Sequence, residues 1–241
     1  MPAMFARLLQ PAAAVLVLAT GGRALASGAI EGTIRVAGPA PVVGARPIAK
    51  DTSVCGGEAP AESIVAKGGA LANVVVSVTD AHFAGTPPPS AGAAVDQRRC
   101  RYVPHVQAVT VGTSLSVMNN DPILHNVHGN EAGVAAPTVF NLAMPIKGQK
   151  LPVPMRKPGL IRLQCDAGHS WMNAWIYVFA HPYFAVTDDD GAFVIDGVPA
   201  GEHVVELWHE PASGQGPGTR TIAKVKVVDG KRARLDLTLH L

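Results

Sequence analysis

The sequence predicts an all-β protein, and three observations support that fold class. Twenty prolines and twenty-five glycines are spread along the 241 residues, so few uninterrupted stretches remain that could form a helix. Short runs rich in β-branched residues recur instead, separated by residues typical of turns. The chain is 48% hydrophobic and only 16% charged, so it can bury a sizeable core and does not have the composition of a disordered chain.

The predicted strands are short apolar runs, and many short strands of this kind are typical of a β-sandwich or barrel. In residues 29–36, for example, Ile30, Gly32, Ile34 and Val36 alternate with more polar positions. The full set is 29–36, 72–78, 108–111, 114–118, 160–163, 174–179, 192–195, 203–207, 222–228 and 233–239.

Three segments between these runs are predicted to be turns or loops. Residues 85–92 contain three consecutive prolines, which favours a stiff linker or an exposed loop. A second loop is expected over residues 213–218. Asp190-Gly191 favours a hairpin turn within 187–193. The alternative for this last segment is a calcium loop, which is disfavoured because no glutamate follows at the twelfth position.

The first 26 residues are predicted to be a secretory signal. Arg7 supplies the positive charge, residues 12–19 form a short apolar run, and Ala24 and Ala26 are small residues at the positions that a signal peptidase reads. Cleavage near Ala26 would place the protein in the periplasm or outside the cell. An uncleaved anchor is the alternative, and no later segment is apolar enough to span a membrane.

The predicted export makes the cysteine count informative. Cysteines usually form disulfides in an oxidising compartment, and three cysteines leave at least one without a partner in the chain. Cys165 has histidine and methionine neighbours at ligand spacing, whereas Cys55 and Cys100 do not. The economical prediction is therefore a Cys55–Cys100 disulfide and a metal-bound Cys165. A pairing of Cys100 with Cys165 stays open at this point.

Four side chains form the most informative pattern in the chain. Cys165, His169 and Met172 lie within eight residues of one another, and His125 stands about forty residues earlier. A thiolate, two imidazoles and a thioether are the ligand set of a blue-copper site. The soft sulfur ligands stabilise Cu(I) and the imidazoles suit Cu(II), so such a set favours electron transfer. Trp171, Trp175 and Met118 could exclude water.

Residues 106–180 resemble a cupredoxin on two motifs that occur in the family's order. Residues 119–127 (NNDPILHNV) are similar to the loop that carries the first histidine, and residues 165–172 (CDAGHSWM) to the loop that carries the other three ligands. The resemblance implies one copper ion held by His125, Cys165 and His169, with Met172 as a weak axial ligand.

The spacing Cys-x-x-x-His-x-x-Met is closer to the copper loop of cytochrome oxidase subunit two than to the commonest blue-copper loops. That dinuclear centre has a second cysteine where this chain has Ile161, so a mononuclear site is expected. A zinc site would use His125, Cys165 and His169 and leave Met172 in the core, but structural zinc usually has four strong ligands.

The flanks of this segment resemble a transthyretin-like, carboxypeptidase-regulatory-type β-sandwich. The resemblance rests on GAIEGTIRVAG at 28–38, on 73–78 and on AVTDDDGAFVIDGVPAGEHVVELW at 185–208. The expected organisation is a Greek-key cupredoxin sandwich inserted in, or packed beside, this smaller sandwich. Its segments are a signal peptide (1–26), a first part of the outer sandwich (27–90), the cupredoxin-like domain (91–183) and the rest of the outer sandwich (184–241).

Three functions are consistent with these patterns. The first is copper-dependent electron transfer or copper handling with an unidentified redox partner, and the outer sandwich could dock a protein or a carbohydrate. The second is a copper oxidoreductase with another metal near His105, His128 and Glu131. The third is a structural β-module without metal. No nucleic-acid partner is expected at a net charge of +2, and no hydrolase or nucleotide-binding motif occurs.

Overall fold

The structure is a computed structural model that describes residues 26–133 and 136–241. The predicted leader therefore lies, apart from Ala26, outside the described residues. Within them the only helix is the single turn α1 (Thr52–Cys55), so the all-β prediction is confirmed. In chain order the strands are β1 (Ser27–Val36), β2 (Arg46–Pro47), β3 (Glu58–Ala59), β4 (Ala66–Lys67), β5 (Ala70–Leu71), β6 (Val75–Val78), β7 (Ala94–Gln97), β8 (Tyr102–Val103), β9 (Val106–Thr110), β10 (Ser114–Asn119), β11 (His125–Glu131), β12 (Thr138–Met144), β13 (Gln149–Pro154), β14 (Gly159–Gln164), β15 (Asn173–Phe179), β16 (Phe184–Val186), β17 (Ala192–Pro199), β18 (Gly201–His209), β19 (Thr219–Val227), β20 (Arg232–Arg234) and β21 (Leu237–Leu239).

Strands from the two ends of the described chain form one β-sandwich, here called the outer sandwich. Its first sheet has the order β17-β1-β5-β4, with β20 and β21 pairing in parallel with β1. Its second sheet has the order β16-β6-β18-β19. Ile30 and Ile34 of the first sheet share one buried core with Val76, Val205 and Leu207 of the second.

Gly32 explains how the last strand segment crosses β1. The sequence predicts one strand over 233–239, but the structure divides it into β20 and β21, with Leu235 between them. A Cβ atom at Gly32 would lie 1.9 Å from the carbonyl oxygen of Leu235. The absence of a side chain therefore permits the close approach of the two backbones.

The strands between residues 94 and 179 form a second sandwich, here called the inner sandwich. One sheet has the order β13-β10-β7-β8 and the other β12-β11-β14-β15-β9. The burial of β10 and β11 alternates, as expected for strands with one face in the core. Leu115 and Val117 from the first sheet share a core with Val127, Leu163 and Ile176 from the second.

A cluster of large side chains joins the two sandwiches. Trp175 and Phe179 of β15 and Val106 of β9 pack with Val75 of β6 and Trp208 of β18. The two indole rings meet edge to face, with their centroids 5.3 Å apart. Burial of this cluster fixes β15, which carries the chain away from the loop around residue 169, against the outer sandwich.

The segment before β4 leaves the outer sandwich and crosses the inner one. Residues 46–59, here called the strap, comprise β2, α1 and β3. Ile48, Cys55 and Ala59 belong to the buried core of the inner sandwich. Cys55 forms a disulfide with Cys100, which confirms the predicted pairing.

Two further local predictions differ from the structure. Residues 187–191 form a turn, as predicted, but it joins β16 and β17, which belong to different sheets and do not form a hairpin. Asp188 Oδ1 accepts hydrogen bonds from the backbone N–H groups of Asp190 and Ala192, which explains the aspartate at this position. Strands β11, β12 and β13 were not predicted, because polar residues and prolines interrupt their apolar pattern.

None of the helical segments in the described part of the chain is long and apolar enough to cross a bilayer.

Candidate metal centre

Three of the four predicted metal ligands come together at one end of the inner sandwich. His125 is the first residue of β11, and Cys165 directly follows the last residue of β14. These strands are antiparallel neighbours that pair His128 with Gln164, so the start of one lies beside the end of the other. His169 lies four residues after Cys165, in the loop that leads to β15.

The donor atoms of these three residues converge on one point. The distance from His125 Nδ1 to His169 Nδ1 is 3.1 Å, and the distance from Cys165 Sγ to His169 Nδ1 is 3.6 Å. Metal ions such as zinc bind imidazole nitrogen at about 2.0 Å and thiolate sulfur at about 2.3 Å, so a single ion can contact all three. Both imidazoles are fully buried and Cys165 is only 5% exposed. The residues therefore fit one metal ion in a position shielded from water.

A carboxylate contacts the far nitrogen of each imidazole ring. His125 Nε2 is 2.9 Å from Asp121 Oδ2, and His169 Nε2 is 2.8 Å from Asp51 Oδ2. An ionised carboxylate can only accept, so each Nε2 carries a hydrogen and donates it. A neutral ring in that tautomer has its lone pair on Nδ1.

When both rings are neutral, the two Nδ1 atoms face each other with their lone pairs. Burial lowers the pKa of His125, His169 lowers it further, and the opposing effect of Asp121 does not reverse the shift, so the neutral ring is favoured. Two lone pairs 3.1 Å apart repel each other unless a proton or a cation lies between them. This arrangement, together with the adjacent thiol, makes a bound cation the simplest account of the site.

Backbone groups surround the sulfur of Cys165. The Asn126 N–H lies 3.4 Å from Sγ, and the Asn126 side chain accepts a hydrogen bond from the Asp166 N–H at 3.2 Å. Burial raises the pKa of the Cys165 thiol, and backbone N–H groups, that of Asn126 first, offset part of this effect. The buried Tyr102 hydroxyl donates to the Asn126 carbonyl at 2.5 Å. Asn126 is thus fixed on both sides beside the sulfur.

Met172 is buried at the same end of the inner sandwich, with 2% of its surface exposed. Its backbone N–H donates to the His169 carbonyl at 2.9 Å, and its side chain belongs to the same core cluster as Cys165. Met144, which pairs with His125 across β11 and β12, is also buried, but its sulfur accepts a hydrogen bond from Gln97. The role of Met172 as an axial ligand stays a prediction.

Cys100, Asp121 and His125 also lie within metal-binding distance of one another. Cys100 is in the disulfide, so it offers no thiolate, and Asp121 already accepts the hydrogen of His125 Nε2. Cys100 and Asp121 therefore support His125 and do not form a separate metal site.

The residues considered for a second metal do not converge in the described part of the chain. His105 contacts the buried Glu210 of the outer sandwich. His128 lies within β11 and contacts Asp166 and Thr138 at 2.6 and 2.8 Å. His128 does not share the buried face of His125.

Sequence reasoning missed the two carboxylates. Asp121 lies in the 119–127 motif, and its i, i+4 spacing to His125 could have indicated a contact, but no role was predicted for it from the sequence. Asp51 is 118 positions away from His169, and no local pattern connects the two.

The class of protein that the fold and site define is a two-sandwich β-protein with a buried His-Cys-His cluster. No known protein family's profile matches the chain, and no curated protein matches it. Among solved structures it is similar to cupredoxins. A reduced tryptophan-to-tyrosine mutant of amicyanin is 25% identical, covering 38% of this chain and 92% of that one with a TM-score of 0.31.

Two further structures give similar values. A methionine-to-glutamine mutant of amicyanin with Cu(I) is 26% identical over 37% of this chain and 85% of that one, with a TM-score of 0.31. A purple cupredoxin from Nitrosopumilus maritimus is 18% identical over 36% of this chain and 99% of that one, also at 0.31. TM-scores of this size do not establish a shared fold.

Proposed function

We propose that this chain is an exported copper protein that transfers single electrons through a mononuclear site. His125, Cys165 and His169 would be its strong ligands and Met172 its weak axial ligand. The observation that carries the proposal is the pair of Nδ1 atoms 3.1 Å apart, both held in the lone-pair tautomer by carboxylates, beside the Cys165 sulfur. Copper bound there would alternate between Cu(I) and Cu(II).

The donor set favours copper over zinc. Two imidazoles and one thiolate are only three strong ligands, and the carboxylates of Asp51 and Asp121 are engaged by the Nε2 atoms. A structural zinc site usually has four strong ligands, whereas three strong ligands with a distant thioether suit copper. The buried Met172 is the available thioether.

The burial of the site favours electron transfer over catalysis on a bound substrate. An electron can pass through a few ångströms of protein, but a substrate must reach the metal. The ligand side chains are 0–5% exposed. Two surface clefts of about 500 and 980 Å³ lie elsewhere, and neither is lined by His125, Cys165 or His169.

The rigid support of the ligands favours the same function. Each imidazole is held at its far nitrogen, and the sulfur is held by the backbone, so little needs to move when the charge of the metal changes. The Cys55–Cys100 disulfide supports an oxidising compartment, as expected for an exported protein. A redox protein of the same compartment is the expected partner.

Loading the mature protein with Cu(II) tests the proposal. We expect one copper per chain by elemental analysis and a visible thiolate-to-copper charge-transfer band that bleaches on reduction. The band should disappear in His125→Ala and Cys165→Ser, whereas Met172→Leu should keep it with a shifted position. His82→Ala, at an exposed histidine, is the matched control and should be unchanged.

Two results would contradict the proposal. A protein that binds no copper tightly would exclude the metal function. A colourless protein that binds one zinc ion in preference to copper would exclude the electron-transfer function.

A further inference from the structure

The strap supplies His169 with a carboxylate partner, Asp51, which belongs to none of the strands of the inner sandwich. Asp51 stands at the start of α1, and its backbone adopts a left-handed conformation with φ of 52°. Its Oδ2 atom is 2.8 Å from His169 Nε2. The His169 side chain is fully buried, whereas the Asp51 side chain is 35% exposed, so Asp51 lies between the imidazole edge and the solvent.

Several contacts attach the strap beside the site. Lys50 Nζ donates to the Ala167 carbonyl, two residues before His169. The backbone carbonyl of Asp51 accepts from the N–H of Cys55, which forms the disulfide with Cys100. Asp51 is therefore held through covalent and hydrogen bonds and not by its contact with His169 alone.

The other end of the disulfide supports the second histidine. The Cys100 N–H donates to Asp121 Oδ2 at 2.8 Å, and the same oxygen contacts His125 Nε2 at 2.9 Å. The disulfide thus links the two carboxylates that orient the two imidazoles. The strap precedes the inner sandwich in the chain. One disulfide bond connects it to the backbone group that holds Asp121, so the carboxylate partners of both rings are linked.

We propose that Asp51 is a positioning residue for the metal ligand His169, an inference that rests on the function proposed above. Its carboxylate fixes the tautomer with hydrogen on Nε2, directs the Nδ1 lone pair to the metal and closes the imidazole edge to solvent. A nearby negative charge stabilises Cu(II) more than Cu(I), because Cu(II) has the higher positive charge. Asp51 therefore also lowers the reduction potential of the site.

The first part of the test uses the metal-free protein. Nitrogen NMR of the His169 ring should show the tautomer with hydrogen on Nε2 in the wild type and in Asp51→Asn, whose side chain keeps an acceptor oxygen. Asp51→Ala should give a mixture of tautomers. Asp189→Ala, at an exposed aspartate in the turn before β17, is the matched control and should resemble the wild type.

The second part uses protein loaded with copper. Asp51→Ala should raise the reduction potential and accelerate extraction of Cu(I) by a chelator about 10- to 100-fold, the usual effect of losing a partner of a metal ligand. Asp51→Asn should raise the potential, since it removes the charge, but should slow extraction relative to Asp51→Ala. Circular dichroism confirms that each variant is folded.

The outcomes separate this inference from the proposed function. A wild type that binds copper, with Asp51→Ala matching Asp189→Ala in tautomer, potential and extraction rate, overturns the role of Asp51 and leaves the copper site standing. A wild type that binds no copper overturns both.

Discussion

Asp121 is a buried carboxylate that accepts several hydrogen bonds beside His125. It accepts hydrogen bonds from the backbone N–H groups of Arg99 and Cys100, each at 2.8 Å, as well as from the His125 ring. Arg99 and Cys100 both have positive φ angles and form the centre of a turn, and successive N–H groups of a turn can form a concave anion-binding site. The carboxylate is thus held by the protein without a metal ion.

Replacing this carboxylate should weaken metal binding. We expect Asp121→Ala to lower copper affinity about 10- to 100-fold, because His125 loses the partner that orients its Nδ1 atom. The free energy of unfolding should fall by about 1–3 kcal/mol, because the Arg99 and Cys100 N–H groups lose their acceptor. Chelator competition and urea unfolding measure the two effects, and Asp189→Ala is the control. Unchanged copper affinity would contradict the orienting role.

At the residue scale the sequence predicted the candidate metal donors but not the carboxylates that contact them. His125, Cys165 and His169 were recognisable because their types and order suit a metal, and the structure brings them together. The contact between Asp51 and His169 joins residues 118 positions apart. No periodicity or motif encodes such a contact, because it depends on the path that the strap takes.

At the scale of elements, the strap depends on its disulfide. It contains only one helical turn and two strands of two residues each, which form few backbone hydrogen bonds of their own. The disulfide closes a loop of 45 residues between Cys55 and Cys100, which restricts the unfolded chain.

Removing this disulfide should cost stability. The double variant Cys55→Ala/Cys100→Ala should lose about 2–4 kcal/mol of unfolding free energy, since the open loop regains conformational entropy when it unfolds. Denaturant unfolding of the variant and the wild type measures the difference. Cys165→Ser, which leaves the disulfide intact, is the control for loss of a sulfur. A loss below about 1 kcal/mol would show that the strap is held without the covalent link.

The strands differ in how far the sequence predicted them. β1, β10 and β18 have strong alternation or dense β-branched residues, and all three were expected close to their observed positions. β12 and β13 expose many of their residues and include polar and proline positions, so their apolar pattern is weak. Pairing with β11 and β10 makes them strands, and pairing is a tertiary property.

At the scale of the whole molecule, a buried acid couples the two sandwiches. Glu210 follows β18 of the outer sandwich, and its Oε2 accepts from the Trp175 indole of the inner sandwich at 2.9 Å. Its Oε1 contacts His105 Nε2. Burial lowers the pKa of His105, but the hydrogen bond and charge of Glu210, with a contribution from Glu62, outweigh burial and leave the pKa raised.

This contact predicts a pH-dependent part of the stability. A raised pKa in the folded state means that the His105 contribution is fully present below the unfolded value of about 6.5 and is lost as pH rises through the folded value. His105→Gln keeps a donor but removes the positive charge. It should reduce the unfolding free energy by about 1–3 kcal/mol near pH 6 and by less near pH 9.

Urea unfolding at both pH values measures the difference between His105→Gln and the wild type. His82→Gln, at an exposed histidine, is the control and should show no such pH dependence. A loss of equal size at pH 6 and pH 9 would show that folding does not raise the pKa of His105.

The sequence by itself predicted the fold class and the order of the candidate metal donors, and it favoured the pairing of Cys55 with Cys100 that the structure confirms. These features depend on residue type, spacing and count, which are properties of the linear chain. The tertiary structure decided which carboxylates orient His125 and His169, how the strap covers His169 and how Glu210 joins the two sandwiches. Those features depend on the packing of segments that are distant in sequence. Such contacts can form only once the strands have paired and brought the segments together.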